Sequence, residues 1–166
     1  MKLLKMWKDK SGTLARCIAI PLIVGGLAGI LSGGGMRAFA ALNKPAFSPP
    51  GWVFPVVWTI LYILMGISSY LICTADADKK RITEALSIYF YQLLVNFLWP
   101  ILFFDFKWYL FSFLWIVLLW FLIIRMIRSF YPISKLAALC NIPYLLWVSF
   151  AAYLNLGIWW LVTIQP

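Results

Sequence analysis

Five long apolar stretches divide this chain, and they constrain its fold more than any other feature. They cover residues 14–35, 52–75, 82–104, 108–127 and 136–162, and each is about as long as a helix that crosses a bilayer. Backbone groups have no water to bond in lipid, so spanning segments of this length must be helical. With 64% hydrophobic and 11% charged residues, the chain has too much apolar surface for a soluble domain of its size. The sequence therefore predicts an all-α integral membrane protein, a five-helix bundle that forms one domain over residues 1–166.

The positive charges predict how this bundle is oriented. Eleven of the 14 Lys and Arg lie before or at the start of the first stretch, in the second connection, or in the fourth connection and the last turn before it. The positive-inside rule places the side that is richer in these residues in the cytoplasm. We therefore expect a cytoplasmic N-terminus and an external C-terminus. Topology and attraction to anionic membrane lipid account for the net charge of +9, so no nucleic-acid partner is predicted.

The first stretch has a second interpretation, as the apolar part of a cleaved signal peptide. Ala38-Phe39-Ala40 matches the small-residue pattern of a cleavage site. The apolar run is long for a signal peptide, however, and Gly25, Gly29 and Gly33 repeat every fourth residue, as in membrane helices that pack closely. These features favour a retained helix, while cleavage stays open.

The chain has few of the residues that catalyse reactions or bind metals. It contains no His, three Cys and five acidic residues, which leaves no general base, activated nucleophile or metal cage. Cys17, Cys73 and Cys140 are all expected near the cytoplasmic boundary, but cysteine is also an ordinary buried apolar residue. The sequence predicts no metal site and no obligatory cofactor, and it argues against an enzyme.

The first connection, Arg37 to Gly51, ends in a proline-rich segment, Lys44 to Trp52. Three prolines fix φ and disfavour helix in the residue before each ring, so this segment is expected to be stiff and extended on the outer face. It is either a lid over a binding site or only a rigid connector. The candidate lid residues are Pro45, Phe47, Pro49, Pro50 and Gly51.

Aromatic and amide side chains recur at helical spacing on one face of three stretches. If these faces meet inside the bundle, they form a cavity walled by Trp58, Trp99 and Trp147. Amide groups in lipid need partners, so they either orient an occupant or bond between helices. The faces comprise Phe54, Trp58 and Tyr62 in the second stretch, Gln92, Asn96 and Trp99 in the third, and Tyr144, Trp147, Ala151 and Asn155 in the fifth. The small Ala151 leaves room for a flat molecule.

Three motifs in these segments closely resemble the TspO/MBR family, the tryptophan-rich sensory, translocator and peripheral benzodiazepine receptor proteins. The first runs from Lys44 to Gly66 and includes Pro49-Pro50-Gly51-Trp52 and Val57-Trp58. The second is Gln92-Leu93-x-x-Asn96-Phe97-x-Trp99, and the third runs from Pro143 to Asn155. The resemblance covers residues 14–160. It implies a pocket that opens beneath the first loop, with Pro45, Pro49, Pro50 and Gly51 in the lid.

The resemblance also implies a function. Family members bind porphyrins such as protoporphyrin IX, sterols, and synthetic isoquinoline carboxamide and benzodiazepine-type ligands. By motif position, Trp58 and Trp147 match two pocket tryptophans that are linked in bacterial relatives to porphyrin binding and to light-dependent porphyrin breakdown, with tryptophan as electron donor. Asn96, Trp99 and Ala151 match further pocket positions, and Phe150 lies in the same motif. The implied function is a membrane receptor for tetrapyrroles that acts in their sensing, transport or breakdown.

Two departures from the family pattern bear on these expectations. Phe47 stands where the loop usually has Trp. Pro100 replaces a common Ser, and it should kink the third helix and reshape the cavity floor. No Lys or Arg follows Lys135, so a sterol-recognition pattern at Tyr153 is incomplete and sterol binding is doubtful. The missing basic tail, unlike that of mitochondrial relatives, favours a bacterial inner-membrane protein.

Two other classes of function stay open. One is a small passive carrier of lipophilic metabolites. Coupled transport is disfavoured, because Glu84 and Asp105 lie near the ends of the third stretch and not deep within it. The other is a regulatory membrane subunit that presents its basic face or the glycine face of its first helix to a protein partner. A homodimer is also compatible with such a bundle.

Overall fold

The computed structural model describes residues 10–39 and 44–164, which form helices joined by short connections. The helices are α1 (Lys10–Leu31), α2 (Gly33–Phe39), α3 (Val53–Cys73), α4 (Lys79–Pro100), α5 (Tyr109–Phe130), α6 (Lys135–Leu139) and α7 (Ile142–Ile164). A π-helical segment, Ile101–Asp105, continues α4. No strand occurs within these two ranges. Ala40, which belongs to the possible cleavage motif, lies outside the described residues.

Five helical segments are long and apolar enough to cross a membrane, which confirms the prediction of an all-α, five-helix membrane protein. They are Ser11–Leu31, Val53–Cys73, Lys79–Asp105, Tyr109–Phe130 and Lys135–Thr163. Their outward sides carry large apolar side chains such as Ile30, Leu114 and Leu146, each more than half exposed. This surface is unfavourable in water, whereas in a bilayer it faces acyl chains of the same polarity.

The helices form a ring of neighbours around the core. Helix α1 lies against α3 and α4, α4 against α5, and α5 against α7, while the short α6 contacts α3 and α5. Helices α1 and α3 approach closely at Gly66, where a Cβ atom would lie 2.5 Å from the Ile18 Cα atom. A small residue at this point allows the two backbones to meet.

The third membrane-spanning helix changes its hydrogen-bonding pattern at Pro100. Proline has no N–H, so the α-helical donor to the Asn96 carbonyl is missing. The chain continues as the π-helical segment, at whose end the Phe106 N–H donates to the Ile101 carbonyl at 3.1 Å. A π turn holds more residues than an α turn and therefore shifts the side chains that follow around the helix axis. The residue that was expected to kink the helix thus marks a change of helix type.

Two predicted helices are each divided in the structure. The first ends at Leu31, and α2 then carries helical structure to Phe39, beyond the predicted end at residue 35. The fifth is divided between α6 and α7 at Asn141. Pro143 lies in the first turn of α7, where the missing N–H costs least.

Hydrogen bonds fix the break between α6 and α7 to α3. The Asn141 side chain donates to Ser68 Oγ at 2.6 Å and to the Ala137 carbonyl at 2.9 Å. Ser68 Oγ itself donates to the same carbonyl at 2.7 Å. The break is therefore a bonded junction between three helices.

Candidate functional site

A cavity of about 580 Å³ lies between α1, α3, α4 and α7, and the segment of residues 44–52 forms part of its wall. We call the end of the bundle that carries this segment the loop end. The volume of the cavity is within the range of small-molecule sites. Seven of the eleven predicted wall residues line it, namely Phe54, Trp58, Tyr62, Asn96, Trp99, Ala151 and Asn155. The predicted lid residues that line it are Pro45, Pro49 and Gly51.

A chain of hydrogen bonds connects the cavity wall to the core. The Tyr62 hydroxyl donates to Asn96 Oδ1 at 2.8 Å, and Asn96 Nδ2 donates to the Tyr144 hydroxyl at 2.8 Å. That hydroxyl donates to Gln92 Oε1 at 2.9 Å, and Gln92 Nε2 lies 3.9 Å from the Met65 sulfur. Gln92 and Tyr144 are fully buried and do not line the cavity. Both amides therefore bond between helices, and Asn96 also has one amide hydrogen left to offer an occupant.

Trp58 and Tyr62 form an aromatic part of the wall. Their ring centroids are 5.5 Å apart and their planes are inclined by 27°. The ring of Tyr144 meets Trp58 edge-on at 6.1 Å. Contacts with two rings hold the indole in one orientation, which is what stacking on a flat ligand requires.

Trp99 is held in the wall through Asn155. Its Nε1 donates to Asn155 Oδ1 at 3.1 Å, and Asn155 Nδ2 donates to the Tyr109 carbonyl at 2.8 Å. The ring of Trp99 also stacks on Phe103 at 5.3 Å. The amide of Asn155 thus positions Trp99 by bonding α4 to α7 and α5.

Trp147, the third predicted tryptophan of the wall, does not line the cavity. The Trp147 ring lies 5.8 Å from the Phe54 ring and 5.6 Å from the Phe150 ring. Phe54 lines the cavity, whereas Trp147 and Phe150 do not. Helical spacing predicts the side of a helix on which a residue lies, but not which side chain of a neighbouring helix comes next to it. The expected wall of three tryptophans is therefore corrected to two. The Trp147 Nε1 atom is buried and has no partner within the described part of the chain.

The 44–52 segment contains a tight turn where an extended lid was expected. The backbone N–H and the hydroxyl of Ser48 both donate to the Pro45 carbonyl, at 3.3 Å and 2.8 Å. Phe47 has a φ of 63° and its side chain is 88% exposed. Pro50 is also directed away from the cavity, and its carbonyl accepts from the Val53 N–H at 3.0 Å. The prediction of an extended segment was wrong at residues 45–48, because the bonds of Ser48 turn the chain back.

Two contacts fasten this turn to α7. The Tyr153 hydroxyl donates to the Ala46 carbonyl at 3.1 Å. Pro45 lies against Gly157, where a Cβ atom would come within 2.7 Å of the proline ring. Neither of these contacts was predicted from the sequence, although Tyr153 and Gly157 are four residues apart and share a helix face.

Replacing Tyr153 with Phe should loosen this turn without disturbing the bundle. The substitution removes one hydrogen bond, worth about 1 kcal/mol. We expect amide hydrogen exchange at residues 46–48 to become roughly fivefold faster, as that free energy implies. Exchange mass spectrometry measures the effect, and Tyr91→Phe, which removes a hydroxyl from a 65% exposed side chain on α4, is the control. Unchanged protection in the Tyr153→Phe protein would mean that the bond does not hold the turn.

The part of the wall that α1 contributes was not predicted. Leu22, Gly25, Gly26, Ala28 and Gly29 all line the cavity. The spacing of the glycines indicated close helix packing, and Gly25 agrees with this, because a Cβ atom there would overlap the Tyr62 ring. At Gly26 and Gly29, however, a Cβ atom would meet nothing within 4 Å in the part of the chain that the structure describes. These two glycines leave open space.

Of the three cysteines, only Cys17 is fully buried. Cys17 on α1 and Cys73 on α3 are neighbours, and Cys17, Cys73 and Cys140 are all free thiols. Within residues 10–39 and 44–164, no three His, Cys, Asp or Glu side chains come together as metal ligands would.

A second cavity, of about 620 Å³, lies beside the π-helical segment, the start of α5 and the end of α7. Its wall includes Phe104, Lys107, Trp108 and Trp159. None of the predicted site residues lines it, so the first cavity is the candidate site.

Comparison with known proteins shows similarity over most of the chain. The sequence pattern of the TspO/MBR family matches residues 17–161. A tryptophan-rich protein TspO of Chlorobaculum tepidum is 37% identical over 147 residues, which cover 88% of this chain and 93% of that protein. A protein of the same name from Archaeoglobus fulgidus is 39% identical over 121 residues, covering 73% and 77%. The translocator protein of Homo sapiens is 34% identical over 128 residues, covering 76% of each chain.

Proposed function

This chain belongs to the TspO/MBR family of membrane proteins, and we propose that its cavity binds tetrapyrroles such as protoporphyrin IX and other flat, apolar ligands. One observation carries the proposal: the indoles of Trp58 and Trp99 and the amide of Asn96 border a single cavity. Indole rings stack on a flat ligand, and an amide fixes its rotation. Relatives named as a sensory protein and a translocator agree with a function in binding.

The energetics favour moderate affinity. A ligand that arrives from the bilayer has already left water, so its burial adds little to the free energy of binding. Stacking contributes about 0.5–1.5 kcal/mol per ring, and each oriented hydrogen bond roughly 1 kcal/mol. Trp58, Trp99 and Asn96 together supply roughly 2–4 kcal/mol by these values, so a Kd of about 1 μM, equivalent to about 8 kcal/mol, requires the close packing of a matching shape to supply the rest.

The charge at the cavity rim favours an anionic ligand. Lys44 lines the cavity at the loop end, and the described wall includes no Asp or Glu. Protoporphyrin IX carries two carboxylates, which must stay near water because a charge in hydrocarbon costs several kcal/mol. We therefore place the carboxylates beside Lys44, and the macrocycle against Trp58 and Trp99.

Binding is better supported than catalysis. The described wall supplies no carboxylate, imidazole or thiol that could be a general base or nucleophile. In a light-dependent breakdown of bound porphyrin, the excited pigment would supply the chemistry. Trp58 would then be the electron donor, since it lines the cavity and Trp147 does not.

Titration with protoporphyrin IX tests the proposal. In lipid nanodiscs we expect a saturable shift of the porphyrin absorbance band with micromolar affinity. The Trp58→Leu variant should bind about tenfold more weakly, because it loses a stacking contact of about 1.5 kcal/mol. Trp160→Leu is the matched control, since Trp160 is half exposed on α7 and does not line the cavity. Uptake no greater than that of empty nanodiscs would overturn the proposal.

A further inference from the structure

Helices α1 and α3 contact each other at two successive points along the bundle. Far from the loop end, Gly66 of α3 meets the backbone of α1 at Ile18. Nearer the loop end, the Tyr62 ring fills the space beside Gly25. The two helices are antiparallel. The next contact toward the loop end is therefore expected about one turn later in the sequence of α1 and one turn earlier in that of α3.

At the next turn the contact is missing. The residue that continues this face of α1 is Gly29, with Gly26 beside it, and within residues 10–39 and 44–164 a Cβ atom built at either would meet no atom of another element within 4 Å. The residues that continue the face of α3 are Thr59 and Pro55. All four line the cavity, and Gly26, Thr59 and Pro55 are also exposed on the surface of the bundle. A residue that lines a cavity and also faces the outside lies at an opening.

We infer that the cavity opens sideways to the bilayer through a window between α1 and α3, and that flat apolar ligands enter and leave there. The window is framed by Gly26, Gly29, Pro55 and Thr59. This inference rests on the proposed function for the identity of the ligand. The two glycines set the width of the window, since any larger side chain would project into it.

The surroundings of the window are apolar. Leu27 and Ile30 on α1 and Val56 and Ile60 on α3 flank it, and each is about half exposed or more. The Thr59 hydroxyl donates to the Pro55 carbonyl at 2.8 Å, so its hydrogen is used within α3. A ligand dissolved in lipid therefore meets no polar barrier at the frame and need not return to water.

The alternative route for a ligand, through the loop end, is closed by two contacts. The Tyr153 hydroxyl bonds to the Ala46 carbonyl, and Pro45 lies against Gly157. Opening this route requires both contacts to break, whereas no side chain has to move at Gly26 or Gly29. The geometry thus favours exchange through the window.

A double substitution, Gly26→Leu with Gly29→Leu, closes the window. Leucine favours helix more than glycine does and has open space here, so the protein should fold. In stopped-flow measurements with protoporphyrin IX in nanodiscs, we expect both association and dissociation to be at least tenfold slower. Gly34→Leu is the matched control, because a Cβ atom at Gly34 would also meet nothing within 4 Å among the described residues, but Gly34 does not line the cavity. Tyr153→Phe tests the competing route.

Two results would overturn the inference. One is an unchanged association rate in the double variant, even with weaker affinity, since the leucines would then only narrow the wall. The other is faster exchange in the Tyr153→Phe protein without any slowing in the double variant, since ligands would then pass the loop end.

A second measurement tests the window without porphyrin. In an Ala151→Cys protein, the new thiol lies inside the cavity, and N-phenylmaleimide dissolved in the bilayer should label it. Peptide mass spectrometry should show labelling at position 151 at least tenfold slower with both leucines, and unchanged with Gly34→Leu. If labelling slows but the original chain does not bind protoporphyrin, the proposed function fails and the window stands. If porphyrin binds but neither rate changes, the window alone is rejected.

Discussion

Replacing Gly66 with Val is expected to lower the free energy of unfolding by about 3 kcal/mol. A Cβ atom at this position would lie 2.5 Å from the Ile18 Cα atom and 2.8 Å from the Cys17 carbonyl oxygen. Both are backbone atoms, so no side-chain rotation can relieve the overlap and α1 has to move away from α3. Overpacking of this kind costs typically 1–3 kcal/mol, and more where backbone must shift. Thermal or denaturant unfolding in detergent micelles measures the loss.

The same substitution at Gly26 is the matched control. Gly26 lies in α1, the helix that α3 contacts at Gly66, but a Cβ atom at Gly26 would meet nothing within 4 Å in residues 10–39 and 44–164. Gly26→Val should therefore change stability by less than about 0.5 kcal/mol, as is usual for surface substitutions. Equal stability of the two variants would show that close approach of α1 and α3 at Gly66 does not support the bundle.

Replacing Asn96 with Leu is expected to cost about 2 kcal/mol of stability and also to weaken porphyrin binding. Asn96 accepts from Tyr62 and donates to Tyr144, and all three side chains are buried. Leucine has a similar size, so the main cost is the Tyr62 hydroxyl left without an acceptor, while Tyr144 keeps its bond to Gln92. Hydrogen bonds between membrane helices average only about 0.6 kcal/mol, but here two are lost at once.

The double variant Asn96→Leu with Tyr62→Phe identifies the cause. Removing the unpaired hydroxyl should recover about half of the lost stability, so the two costs should not add. Ser87→Ala is the control on α4, because the exposed Ser87 hydroxyl bonds only to the Thr83 carbonyl of its own helix. Strictly additive costs would contradict a coupled Tyr62–Asn96 pair.

The helices could be predicted because lipid leaves few choices. A long apolar stretch in a bilayer must satisfy its backbone within itself, so length and composition alone locate the five spans. The division of the fifth span at Asn141 depends on bonds to Ser68 in another helix, and such partners have no signal in the local sequence. The π-helical segment was likewise not predicted, although Pro100 marks the place where it begins.

The site could be predicted in part. Helical spacing puts Trp58, Asn96 and Trp99 on inward faces, and the structure brings all three to one cavity. Periodicity does not contain the distances between helices, so it could not show that Phe54 comes next to Trp147. For the same reason Gly29, whose spacing indicates helix packing, lies beside open space. The ligand-binding roles of these residues stay predictions until titration tests them.

The bonded junction at Asn141 has a consequence for how membrane thickness acts on this protein. The hydrogen bonds of Asn141 to Ser68 and Ala137 join α3, α6 and α7 at the end of the bundle that is remote from the loop. Gly66 holds α1 close to α3, so a tilt of α1 pivots near Gly66. Displacement about a pivot grows with distance from it, so the separation of α1 and α3 changes more at Thr59 than at Gly66. Helices tilt to match the hydrocarbon thickness around them. A thicker or thinner bilayer is therefore expected to alter the gap at Thr59 more than the contact at Gly66, and with it the rate at which ligands exchange.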